Sequence, residues 1–180
     1  MTSLTAESII QEMIDYRFPR YDELPTIPLY SDQVIEALND YLAPFRQMSA
    51  EQTITPAMIN NYVKQRLIPP PVKKRYDRDQ LAQLYCICLL KHVFSISEIR
   101  GLLDIQTRTY PFPQAYDYFC SELETALKAT FSTRDFSSPS HASKVTPESE
   151  LVRSSALCFA NKVFSVKFLE LYAGFQADQS

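Results

Sequence analysis

A chain of 180 residues with only two glycines has little material for the tight turns of antiparallel sheets or for phosphate-binding loops. This scarcity argues against dinucleotide folds and extensive sheet, and it predicts an all-α protein. A hydrophobic content of 46% with 22% charged residues is typical of a globular chain. No apolar run reaches the roughly 20 residues that a membrane span needs. The chain begins without a secretory pattern, and its four cysteines do not look like a disulfide framework, so we expect a cytoplasmic protein with reduced thiols.

Residues 1–30 are predicted to form an N-terminal helix and a connector. Apolar residues on one side favour a helix over 5–16, and three prolines make 18–30 extended. Ser31 is an N-cap candidate for a second helix that runs towards Pro44.

The third helix has the clearest start signals. Thr55 can cap it, Pro56 suits the first helical position, and Ile54 can pack on Ile59 as a hydrophobic staple. One face of this helix, at positions i, i+3, i+4 and i+7, carries a small residue, two amides and a lysine. These residues are Ala57, Asn60, Asn61 and Lys64.

This face has the chemistry of a helix that reads a DNA major groove. Asparagine can pair bidentately with adenine, and lysine reaches guanine or phosphate. Residues 54–78 carry six basic residues against one acidic residue, a net charge of +5. Because the whole chain carries −3, the remainder carries −8. Phosphate neutralisation dominates affinity for nucleic acids, so this segregation favours DNA binding.

We therefore predict DNA contacts from this helix and from the basic turn that follows it. Base edges are read by Asn60, Asn61 and Lys64, with Ala57 permitting close approach. Phosphates are held by Thr55, Lys73, Lys74 and Arg75, and Arg66 also belongs to the predicted DNA-contacting residues. The competing interpretation is a surface helix followed by an ordinary basic loop. Two successive asparagines are poor helix formers, which favours a compensating role for them.

Further elements follow in the second half of the chain. Two capping boxes predict helix starts, Asp77 with Gln80 and Ser95 with Glu98. A helix over about 114–131 precedes a serine-rich flexible linker over about 133–145. A final helix runs from Thr146-Pro147 to about Phe175.

Four motifs carry a family resemblance: Met-Ile-Asn-Asn-Tyr at 58–62, Leu-Ile-Pro-Pro at 67–70, Lys-Arg-Tyr-Asp-Arg-Asp-Gln-Leu at 74–81, and Phe-Ser-Ile-Ser-Glu-Ile-Arg-Gly-Leu-Leu at 94–103. Through them, residues 54–104 resemble the winged helix-turn-helix of the MerR family. The wider span, 24–103, resembles an uncharacterised bacterial family of MerR-like proteins. Two departures stand out: Arg66 replaces a glycine after the recognition helix, and the wing is several residues short and lacks glycine.

The resemblance implies a MerR-like winged helix-turn-helix over 31–104 and a helical C-terminal region over 105–176. It also implies a transcriptional regulator that binds double-stranded DNA as a homodimer. Two alternatives remain open. The helix-turn-helix is a protein-interaction module, or the aromatic C-terminal half holds a pocket for a small-molecule effector.

No catalytic, cofactor or metal site is predicted, and we do not expect an enzyme. Cys86 and Cys88 point to different faces of a helix, and a single pair of Cys88 with His92 falls short of a tetrahedral metal site. Buried structural cysteines are the favoured interpretation.

Overall fold

The computed structural model describes residues 6–48, 53–136 and 142–177. Within them the chain is predominantly helical, as predicted, and adds a two-stranded antiparallel sheet. The helices are α1 (Ala6–Asp15), α2 (Ser31–Tyr41), α3 (Pro56–Lys64), α4 (Arg78–Leu90), α5 (Ile96–Thr109), α6 (Phe112–Ser132) and α7 (Pro147–Ala177). The strands are β1 (Leu29–Tyr30) and β2 (Arg75–Tyr76), and short 3-10 turns lie at Tyr21–Glu23 and Ala43–Met48. No described helix is both long and apolar enough to cross a membrane.

The chain divides into two compact units. The central unit is Pro19–Cys120, and the terminal unit combines the described parts of residues 1–18 and 121–180. The predicted segment 31–104 lies wholly inside the central unit. The predicted segments 1–30 and 105–176 each contribute to both units, because the divisions fall after Phe18 and within α6. Part of the predicted linker, 133–145, lies outside the described residues.

Helix α4 forms the core of the central unit. Ten of its 13 residues are buried, including Leu81, Leu84, Tyr85 and Cys88. The structure therefore buries the helix on all sides. This is the expected environment of a helix that is apolar all round.

The terminal unit has an aromatic and aliphatic core. Phe131 of α6 is buried and meets Phe164 of α7 edge to face, with ring centroids 5.3 Å apart. The backbone N–H of Phe18 donates to Glu124 Oε1 at 2.8 Å, which ties the segment after α1 to α6. Some of the aromatic residues of the C-terminal half therefore form an ordinary hydrophobic core.

Most predicted helix starts are confirmed, and one is wrong. Asp77 with Gln80 and Ser95 with Glu98 form complete capping boxes. Ser31, by contrast, is the first helical residue and not the N-cap. Tyr30, whose backbone is extended in β1, takes the N-cap position, so the helix starts one residue earlier than a serine cap requires. The Gln33 side chain accepts from the Tyr30 N–H at 2.9 Å.

Burial along α5 is partial. Ile99 is buried, whereas Ile96, Leu102 and Leu103 are half-buried. The apolar side of α5 is thus only partly covered by described residues.

Candidate nucleic-acid interface

The N-terminal end of α3 is fixed by two side chains. Thr55 Oγ1 accepts from the Met58 N–H at 3.4 Å, which confirms the predicted cap. The Asn39 side chain of α2 hydrogen-bonds both backbone groups of Ile54, the residue before Thr55. The Ile54 N–H donates to Asn39 Oδ1 at 2.8 Å, and Asn39 Nδ2 donates to the Ile54 carbonyl at 3.4 Å. The entry of the chain into α3 is therefore anchored to α2.

The C-terminal end of α3 closes with a Schellman motif. The Leu67 N–H donates to the Tyr62 carbonyl at 3.0 Å, and the Arg66 N–H donates to the Val63 carbonyl at 2.9 Å. Arg66 has φ of 55°, a left-handed conformation that glycine adopts most cheaply. The residue in this left-handed position is therefore an arginine and not a glycine. Arg100 of α5 also donates to the Gln65 carbonyl.

The polar face of α3 points to solvent. Ile59 and Tyr62 are 0% and 4% exposed on the inner side, so Tyr62 is a core residue. The α3 surface, which we define as Ala57, Asn60, Asn61 and Lys64, is exposed at every position. The side chains of its two asparagines and its lysine form no hydrogen bond or ion pair with any described residue. They are therefore available to a ligand.

A tight turn presents the basic residues that follow. Val72 and Arg75 exchange backbone hydrogen bonds of 3.0 and 2.9 Å, which closes a two-residue loop. Its central residues, Lys73 and Lys74, have φ of 50° and 65°. Positive φ at both central positions defines a type I′ turn, in which Asn-Gly is the usual sequence. We call residues 72–75 the basic hairpin; both of its lysines are exposed.

The described residues with left-handed backbone conformation carry basic side chains. Among the described residues, the non-glycine positions with positive φ are Arg66, Lys73, Lys74 and Arg134, and no glycine has positive φ. A left-handed residue with a Cβ costs roughly 1–2 kcal/mol. Such strained positions cluster at functional sites in proteins. Three of the four lie in and beside the predicted DNA-contacting turn.

Two residues outside the predicted set support the basic hairpin. Gln80 is 3% exposed, and its Nε2 donates to the carbonyls of Pro69 and Pro70 at 2.9 and 3.2 Å. Its Oε1 accepts from the Asp77 N–H at 2.9 Å. Arg75 lies over the ring of Tyr30, with its guanidinium carbon 4.7 Å from the centroid, and donates to the Tyr30 hydroxyl at 2.8 Å.

Helix α2 is the common support of these parts, since it contacts α3, α4, β1 and β2. Strand β1 pairs with β2 in the register Leu29 with Tyr76 and Tyr30 with Arg75. A groove of about 630 Å³ lies along this sheet. It is lined by Pro28, Tyr30, Val72, Lys73, Arg75, Asp77 and Gln80.

All the predicted contact residues are therefore exposed: Thr55, Ala57, Asn60, Asn61, Lys64, Arg66, Lys73, Lys74 and Arg75. Sequence reasoning missed the residues that hold them, namely Asn39, Gln80, Tyr30 and Arg100. Gln80 was visible only as a member of a capping box. The partners of the other three are distant in sequence, so no local pattern indicates them.

The cysteines of the central unit are buried, as the sequence predicts. Cys86, Cys88 and Cys120 are buried, whereas Cys158 of the terminal unit is exposed. Burial raises the pKa of Cys88 to about 12 and that of Cys86 well above its usual value. Both thiols therefore stay protonated and unreactive at neutral pH. Among the described residues, no three histidine, cysteine or carboxylate side chains come together as metal ligands.

These features define a mainly helical domain with an exposed amide face and a strained basic turn. The chain belongs to the family described as "Domain of unknown function (DUF1836)", which matches residues 19–119. The matched region nearly coincides with the central unit, Pro19–Cys120. No curated protein and no solved structure is significantly similar to the chain.

Proposed function

We propose that this protein binds double-stranded DNA sequence-specifically and regulates transcription in the cytoplasm of a bacterium. In this proposal the central unit acts as a MerR-like winged helix-turn-helix. Helix α3 enters the major groove, where Asn60, Asn61 and Lys64 read base edges. Thr55, Arg66 and the basic hairpin hold the flanking phosphates.

The observation that carries the proposal is the use of basic residues at Arg66, Lys73 and Lys74, where glycine would cost less. None of the three forms a side-chain hydrogen bond or ion pair with a described residue. No interaction of these charges within the described part of the molecule therefore offsets the backbone strain. Binding to a polyanionic partner can offset it, because each neutralised phosphate releases counterions.

The α3 surface supports the same proposal independently. Asparagine is a poor helix former, and Asn60 and Asn61 stand in succession on α3 without a described partner. Their helix is held at both ends by Asn39, Thr55 and the Schellman motif. Because such a helix is already ordered, it can place amides against base edges without losing conformational entropy of its own on binding.

We further propose that two copies act together on DNA. A homodimer would read two half-sites, and it would therefore discriminate between DNA sequences more strongly than one short helix can. Leu169 and Tyr172 of α7 are 68% and 65% exposed, and such apolar side chains suit a contact between copies. Sedimentation of the protein with and without duplex tests this part.

Selection of bound sequences from a random duplex pool tests the proposal as a whole. We expect enrichment of a short, symmetric sequence that binds far more tightly than the starting pool. The matched control is the variant Asn60→Ala/Asn61→Ala, which keeps the fold and should enrich nothing. Recovery of the same sequence by this variant would contradict base reading by α3.

A second candidate is a protein-interaction module, and exposed apolar residues near the hairpin favour it. Ile27 and Val72 are 73% and 72% exposed in the central unit. A pull-down that yields a stoichiometric protein partner and no DNA, and that is lost in Val72→Asp, would favour this function. The small-molecule effector remains a third proposal, and a ligand-induced rise in melting temperature tests it.

A further inference from the structure

Tyr30 and Arg75 form a pair across the two strands. They stand opposite each other in the register of β1 and β2, so their side chains leave the sheet on the same face. The guanidinium carbon lies 4.7 Å from the ring centroid, and Arg75 Nη2 donates to Tyr30 Oη at 2.8 Å. The cation–π contact holds the guanidinium against the ring, and the hydrogen bond fixes the position of one of its nitrogens.

This arrangement leaves most of the guanidinium free. Arginine has five N–H donors, and the tyrosine hydroxyl takes one of them. No carboxylate in the described ranges forms an ion pair with Arg75. The nearby Asp77 accepts instead from the Gln80 N–H at 2.9 Å. The remaining donors of Arg75 therefore form a fixed fork at the solvent edge, beside Lys73 in the groove.

We infer that Tyr30 is a positioning residue that presets Arg75 to bind a phosphodiester oxygen pair of the DNA backbone. The inference rests on the proposed function. The planar fork of arginine matches a phosphate in bidentate geometry. Lys73, which lines the same groove, adds a second positive charge beside the arginine. Prior ordering of the arginine removes most of the entropy that a long side chain otherwise loses on binding.

The pair explains a tyrosine that packing does not require. Tyr30 is 46% exposed, so its ring contributes little to the core. Its hydroxyl bonds only Arg75 among the described residues. If Tyr30 acts only through Arg75, its value for binding disappears when the arginine is absent.

A double-mutant cycle on the full chain tests this. The affinities of wild type, Tyr30→Phe, Arg75→Ala and the double variant are measured by fluorescence anisotropy on the selected duplex. We expect Tyr30→Phe to weaken binding about 2–10-fold, the range for one lost hydrogen bond, because Arg75 is then held by stacking alone. In the Arg75→Ala background the same change should have no further effect. Tyr110→Phe is the matched control: it also removes one tyrosine hydroxyl, which bonds no described residue, and it should bind like wild type.

A second readout does not depend on DNA. In the free protein, the Arg75 Nε–H resonance should be displaced by the ring current of Tyr30 and should return towards its free position in Tyr30→Leu. An unchanged resonance would overturn the inference, because the pair would then be absent in solution.

The outcomes separate the inference from the proposed function. If Tyr30→Phe has no effect, or weakens binding equally in both backgrounds, Tyr30 does not act through Arg75, while DNA binding stands. If the wild type binds neither the selected duplex nor the random pool, the proposed function is wrong, and the inference about Tyr30 is overturned with it.

Discussion

Helices α3 and α4 lie in the same unit but differ in how much of their surface is buried. Helix α4 is buried on all sides, with ten of its 13 residues inside. Helix α3 buries Ile59 and Tyr62 and leaves two asparagines and a lysine in water. Buried contacts in this unit are therefore concentrated in α4, and the proposed DNA contacts are concentrated on α3. Substitutions in the two helices should separate into those that unfold the protein and those that leave it folded but inactive.

The largest effect is expected in α4. Leu84 is 0% exposed, and Leu84→Ala should lower the free energy of unfolding by about 2–5 kcal/mol, since it removes buried methyl groups and leaves a cavity. Urea denaturation followed by circular dichroism measures this. Asn61→Ala on α3 is the matched control and should stay within about 0.5 kcal/mol of wild type. Equal destabilisation by both variants would show that the α3 surface is a packing surface.

A smaller effect of opposite sign is expected in the basic hairpin. Changing Lys73 and Lys74 to Asn-Gly suits the type I′ turn and should stabilise the protein by about 1 kcal/mol. The same change removes two charges, so affinity for all duplexes should fall. Stability and binding would thus move in opposite directions, which is the signature of strain kept for function.

A matched double variant separates charge from backbone. Changing both lysines to glutamine also removes two charges but keeps the strained conformation. It should lose affinity as Asn-Gly does and gain no stability. If Asn-Gly binds duplex as tightly as wild type, the basic hairpin does not hold phosphates.

The smallest effect is expected at alkaline pH. Burial and the hydrogen bond from its hydroxyl to Asp79 raise the pKa of Tyr21 to about 12. The unfolded tyrosine loses its proton near pH 10, so the folded state binds more protons between about pH 10 and 12. The stability that Tyr21 contributes is therefore complete below pH 10 and is lost as the pH rises towards 12.

Urea denaturation of wild type and Tyr21→Phe across this pH range measures the loss. The difference in stability between the two proteins should shrink as the pH rises. It should be small at every pH, because Tyr21 is only half-buried and solvent screens its interactions. A difference that grows with pH would contradict the assigned direction of the pKa shift.

Local chemistry made much of this fold predictable. The cap at Thr55 and the two capping boxes depend on side chains three residues from their partners, so the sequence displays them directly. The exposed face of α3 follows from spacing alone. The predicted start of α2 was wrong because Tyr30, the actual N-cap, lies in β1. Its pairing partner, Arg75, is 45 residues away, too far for a local sequence pattern to show.

The support of the candidate site was not predictable for the same reason. Asn39 and Ile54 are 15 residues apart, and Tyr30 and Arg75 are 45 apart. Turn propensity also misleads at Lys73 and Lys74, because it favours Asn-Gly for such a turn. The all-round burial of α4 depends on neighbours from several elements, which periodicity within one helix cannot reveal.

The most direct test compares the α3 surface with the basic hairpin in one titration of salt. Binding of wild type, Asn60→Ala and Lys74→Gln to the selected duplex and to random duplex is followed by anisotropy. Asn60→Ala should cost about 1–3 kcal/mol on the selected duplex alone, with an unchanged salt slope. Lys74→Gln should weaken both duplexes alike and reduce the slope of log affinity against log salt by about 0.9. Equal losses on both duplexes for both variants, or a wild type that binds neither duplex, would contradict the account.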